Sequence, residues 1–129
     1  MTGVPPPTND GSIPDAVVLW RRIPPGQMTT DDSVASGERP STANFDDPEL
    51  SVVIASDCAG GTATLLKGHD GFGVVEFTVG EIRALGWGIV RAPDDQLPGH
   101  AHVTGRKSRA LRSRLAKVCR MIVNPARMR

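Results

Sequence analysis

The sequence has no tyrosine and only five other aromatic residues, Trp20, Phe45, Phe72, Phe77 and Trp87. A core must therefore be assembled mostly from Val, Ile and Leu. None of the five lies in residues 101–129, which argues against an aromatic stacking platform for single-stranded nucleic acid there. Cysteine is equally sparse. Cys58 and Cys119 are too few for a disulfide framework and match no common zinc spacing, so a reduced, cytoplasmic pair is expected. No run approaches the ~20 apolar residues that span a bilayer. Residues 1–15 lack the basic and apolar segments of a secretory signal. A Gly-x-Ser-x-Gly elbow is missing too, and no catalytic triad is visible.

Acid is absent from one region altogether. Residues 101–129 hold nine of the 15 basic residues and no carboxylate, a net charge of +9, whereas residues 1–100 carry all 14 acids and a net charge of −8. Such a split points to a basic arm for a polyanion, or to a basic helix that docks on its own acidic body.

With 129 residues the chain fits one domain. Pro5–Pro7, Asn9-Asp10-Gly11 and Pro14 predict a disordered tail over residues 1–15. Residues 16–129 form the domain, with a long irregular loop at 24–48 in which Arg39–Phe45 is a short ordered stretch anchored by Phe45. Strands are predicted at residues 16–21, 50–55, 73–78, 87–91 and 100–104, from β-branched or alternating runs bounded by turn residues. Thr62–Lys67 is predicted as about two helical turns, stopped at Gly68. Thr78-Val79-Gly80-Glu81 has the spacing of a capping box and predicts a short helix to Leu85. From Arg106 to about Val123, Leu111, Leu115, Val118 and Ile122 recur at helical spacing and predict one amphipathic C-terminal helix. The fold class expected is α+β: a small mixed or antiparallel sheet of four to five short strands, that C-terminal helix, and one or two short helices.

Three groups of residues carry chemistry. The first is the cationic side of the C-terminal helix, Arg106, Lys107, Arg109, Arg112, Arg114, Lys117 and Arg120. Like charges three apart strain an isolated helix by about 0.2–0.5 kcal/mol per pair, so an anionic counterpart is expected, from the acidic body or from nucleic acid or another polyanion. The plainer reading is a solvated helix face. The second is Gly105-Arg106-Lys107-Ser108, which opens the helix after a strand. It departs from a phosphate loop in glycine spacing and lysine position, and leaves at most a generic anion site at a helix N-terminus. The third is His100 and His102, two apart on a strand and so on one face; with His69 they could ligate a metal, the alternative being surface imidazoles. Cys58 reads as a packed thiol, and Glu81 as a cap.

Leu19-Trp20-Arg21-Arg22-Ile23, the strand Ser51–Ala55 and the segment Ala63-Thr64-Leu65-Leu66-Lys67-Gly68-His69 resemble the opening strand, a later strand and a short helix of RES-type domains. These are bacterial NAD-consuming toxins related in fold to ADP-ribosyltransferases. The resemblance implies NAD as cofactor or substrate, Arg21 or Arg22 on its phosphates, and Arg39 and His69 near the pocket. Lys67 stands where that family often has glutamate, and the tyrosine of such sites has no counterpart. Three functional expectations follow: an interaction or accessory domain for an unknown protein partner, a polyanion or nucleic-acid binder, and a RES-like enzyme.

Overall fold

The computed structural model describes residues 7–126. Its strands are β1 (Val18–Ile23), β2 (Met28–Thr30), β3 (Glu38–Pro40), β4 (Leu50–Ile54), β5 (Gly73–Thr78), β6 (Gly88–Arg91), β7 (His100–Thr104) and β8 (Arg120–Val123). Its helices are α1 (Thr62–Leu65), α2 (Val79–Ala84) and α3 (Arg109–Val118). Six strands form one sheet in the order β6-β7-β4-β1-β5-β8, every pairing antiparallel, and β2 and β3 form a separate hairpin. The protein is thus α+β, with one more strand in the main sheet than the four to five expected. No helix among the described residues is long and apolar enough to cross a membrane.

Alternation along the strands divides the apolar residues between two faces. Leu19, Val52, Ile54, Val75, Phe77, Ile89, Ala101 and Val103 make the larger core under α2, α3 and the 3-10 turn Thr42–Phe45, which supply Ile82, Leu115 and Phe45. Phe45 meets Phe77 edge to face at 6.4 Å, so the expected anchor is in place. The opposite face carries a smaller cluster, Val53, Cys58, Leu65 and Val74, bordered by Trp20, Leu66 and Leu97. Thr78 and Glu81 complete the predicted capping box of α2, Glu81 Oε1 accepting from the Thr78 N–H at 2.8 Å.

Three expectations are corrected. The tail does not extend to residue 15: residues 1–6 lie outside the described residues, but the following segment is packed. Ile13 is fully buried, the Asp10 N–H donates to Ile89 O, and Arg83 binds Asn9, Asp10, Ile13 and Asp15 through its guanidinium. Proline and glycine barred regular structure here without barring burial. Gly88 is what lets this segment pass, because a side chain there would collide with the Thr8 carbonyl and Asn9.

The loop at 24–48 contains the hairpin, whose connection is tied by Asp31, which accepts from Ser33 and from Arg39 Nε at 2.7 Å. Those bonds, Ser33's hydroxyl foremost, hold the Asp31 carboxyl well below the usual range. The C-terminal helix is the third correction. α3 begins at Arg109, capped by Ser108, and ends at Val118; residues 120–123 are strand β8 on the edge of β5. Arg120-Met121-Ile122-Val123 fits either period, and the open edge of β5 decides in favour of a strand. The expected apolar seam is accordingly broken: Leu115 is buried, whereas Val118 and Ile122 are 46% and 41% exposed.

Candidate ligand cleft between two parted strands

The two edges of β1 are treated differently. Towards β5 it is paired along its whole length, from Val18↔Thr78 to Ile23↔Gly73. Towards β4 the register holds only at Leu19↔Ile54 and Trp20↔Val53. Beyond Trp20 the two strands part, and the Arg21 guanidinium bridges them. Nη1 donates to Ser51 O on β4 at 2.8 Å, Nε to Asn44 Oδ1 at 2.8 Å, and Nη2 to Asn44 O at 2.7 Å. Asn44 is held in turn, its Nδ2 donating to Gln27 Oε1 at 2.7 Å. A side chain thus supplies the cross-strand bond that a backbone amide would make in a continuous ladder. Burial pushes the Arg21 pKa down to about 10, against the attraction of Asp47, so the group remains cationic at neutral pH. A guanidinium has five N–H donors, and three are used here, leaving one on each terminal nitrogen.

The parting opens a cleft of about 770 Å³. Trp20, Leu65, Phe72 and Leu97 give it apolar walls, and Arg21, Arg22, His69 and His100 give it basic groups. Arg22 Nη1 donates to Leu65 O at 3.1 Å, with its other donors unassigned among the described residues. The Trp20 indole N–H is buried without an acceptor among the described residues, an arrangement that costs about 1–3 kcal/mol unless a partner is supplied. Three carboxylates also line the cleft, each with one oxygen engaged locally. Asp94 accepts from the Leu97 and Gln96 N–H groups, Asp47 accepts from the Glu49 N–H, and Asp46 faces Arg112 at 3.9 Å. The Leu97 bond is the main reason the Asp94 carboxyl is held low, with Arg22 adding positive charge nearby. The surplus guanidinium donors and the apolar walls favour an anionic ligand with an apolar or ring portion, held at Arg21 and Arg22.

Of the residues implied by the RES-type resemblance, Arg21, Arg22 and His69 come together here. Arg39 does not: it pairs with Asp31 and Pro40 O in the hairpin. Sequence reasoning missed Asn44, Gln27 and Ser51, because nothing in a strand's composition marks where its partner will leave it. His100 was singled out only for metal. His100 and His102 do share a face, with ring centroids 5.0 Å apart, but no group of three potential metal ligands exists among the described residues. His102 instead faces Glu49 at 3.9 Å.

The basic C-terminal residues divide as well. Lys107 is turned inward, its Nζ donating to Pro48, Val103 and Gly105 carbonyls at 2.7–3.1 Å and lying 5.1 Å from the Trp87 ring centre. It is therefore neither a polyanion contact nor a phosphate-loop lysine. Arg112 donates to Lys107 O and Thr42 O, and Arg120 pairs with Glu81 at 3.0 Å. Arg106, Arg109, Arg114 and Lys117 are exposed and have no ion pair among the described residues. Cys119 is inert, burial pushing its thiol up to about 12. No protein-family model, curated protein or solved structure matches this chain.

Proposed function

We propose that this protein binds a small phosphorylated ligand in the cleft between β1 and β4, with Arg21 and Arg22 donating to the phosphate and Trp20 and Phe72 flanking the remainder. The observation that carries this is the Arg21 guanidinium, fixed by three hydrogen bonds at the mouth of the strand parting with two N–H groups still to give. A fixed, partly desolvated guanidinium is suited to bind an anion, because little further ordering is needed on binding. NAD is the member of this class that the RES-type resemblance implies. Calorimetric titration with inorganic phosphate, ADP-ribose and NAD tests the reading. At least one should bind, and Arg22→Gln should weaken it about 10- to 100-fold, the worth of one charge-assisted hydrogen bond. Absence of binding by all three compounds, or an Arg22→Gln variant indistinguishable from wild type, overturns it.

A second reading rests on a separate observation, the exposed and unpaired Arg106, Arg109, Arg114 and Lys117. Their surface is available to a polyanion such as nucleic acid. Binding of a short duplex should then weaken as a power of salt concentration, and replacing Arg109 and Arg114 by Gln should make that slope shallower by about two. A slope unchanged in the variant removes this reading and leaves the helix face solvated.

A further inference from the structure

Arg21 and Arg22 bring surplus donors to the cleft, and His100 brings an ordered acceptor. His100 opens β7, an interior strand lying between β6 and β4, and its register partner across β4 is Val53. Its backbone is tied on both sides, the N–H donating to Leu97 O at 3.0 Å and the carbonyl accepting from the Ala92 N–H at 2.9 Å. Its ring nitrogen Nδ1 lies 2.8 Å from Ala92 O. A carbonyl oxygen can only accept, so Nδ1 carries the hydrogen, and in the neutral ring Nε2 is left with a bare lone pair. Nε2 has no partner among the described residues, and the ring lines the cleft with the His102 ring set edge-on against it. His69 shows the same pattern at Lys67 O, but it sits on an exposed turn, whereas His100 stands on the sheet, where geometry is held more closely.

We infer that His100 Nε2 accepts a hydrogen bond from a ligand hydroxyl, so that the cleft selects a phosphate ester bearing a free hydroxyl over phosphate alone. This rests on the cleft reading above, in which Arg21 and Arg22 hold the phosphate. His100 is a specificity residue here, and no bond-making step is assigned to it.

Two probes separate this inference from the reading beneath it: inorganic phosphate and ribose 5-phosphate. Wild type should bind ribose 5-phosphate about tenfold more tightly than phosphate, the worth of one good neutral hydrogen bond. In His100→Asn the amide can still reach Ala92 O while the Nε2 position is lost. That variant should bind both probes equally. His100→Gln, which places an amide oxygen near the former Nε2, should restore most of the preference. In long-range nitrogen–proton NMR at a pH where the ring is neutral, free His100 should be the Nδ1–H tautomer, and its Nε2 resonance should move with ribose 5-phosphate and not with phosphate. Equal binding of the two probes by wild type, an unaltered preference in His100→Asn, or a preference lost in His69→Asn instead overturns the role of His100 while leaving the phosphate site standing. If neither probe binds, the phosphate site and this inference fall together.

Discussion

Lys107 is a buried cation and Arg21 a half-buried one, and they are used in opposite ways. Lys107 has three N–H groups and finds three carbonyls, those of Pro48, Val103 and Gly105. Nothing is left over, and the ammonium lies 5.1 Å from the Trp87 ring centre. Arg21 has five N–H groups and finds three acceptors, at the rim of an open cleft. A saturated cation closes a structure; an unsaturated one beside a cleft is available to a ligand. The difference shows that counting donors against acceptors separates the two roles where charge density cannot, since the sequence places Lys107 in the most basic stretch of the chain.

The comparison is sharpest if both cations are removed in the same way. Lys107→Met keeps a stem of similar length and leaves three carbonyls short of a donor, that of Val103 in a buried position. A loss of about 3 kcal/mol in urea unfolding is expected, with affinity for phosphate compounds unchanged. Arg21→Met strips donors from Ser51 O and Asn44, but water can enter the cleft and replace them. Its stability loss should be smaller, about 1–2 kcal/mol, while phosphate binding should vanish. Equal stability losses with equal binding in the two variants would break the distinction between closing and ligand-holding cations.

Much of the fold was legible in the sequence. The strands at 50–54, 73–78 and 100–104 and the cap at Thr78 announced themselves through β-branched runs, alternation and the Thr-x-x-Glu spacing. Those are local signals, and local signals survive in the fold. What was misread depended on distant partners. The period of Leu111, Leu115, Val118 and Ile122 suits a helix, but the edge of β5 captured Arg120–Val123 and left Ile122 at a register irregularity. Ile13 was hidden among prolines, and its place comes from the main core and from Arg83, seventy residues on, which donates to its carbonyl.

The candidate site divides along the same line. Arg21 and Arg22 came from the resemblance carried by Leu19–Ile23. The parting of β1 from β4 came only from the structure, because it is a property of the pairing and not of either strand. Arg39 was expected near the pocket, but its charge is spent on Asp31, an acid within its own hairpin. Short-range pairing of this kind is the usual reason why an arginine near a site in sequence is absent from it in space.

The last expected effect is on pH dependence, and it tests whether Lys107 is as fully paired as its geometry says. Burial pushes its pKa down to about 8 from the ordinary 10.5, opposed by the Asp47 carboxylate. A cation whose pKa is lowered by folding binds fewer protons in the native than in the unfolded chain between those two values. Stability should therefore rise with pH from about 8 to about 10.5, and this rise should be absent in Lys107→Met. The three carbonyls act the other way, since each favours the charged ammonium over the neutral amine. If they offset burial fully, wild type and Lys107→Met will show parallel pH profiles across that window, and the saturation of Lys107 will then be energetic as well as geometric. A wild-type profile that falls with rising pH, relative to the variant, would mean that the carbonyls raise the ammonium's pKa above its ordinary value. Lys107 would then stabilise the native state as a cation up to the pH at which it ionises in the unfolded chain.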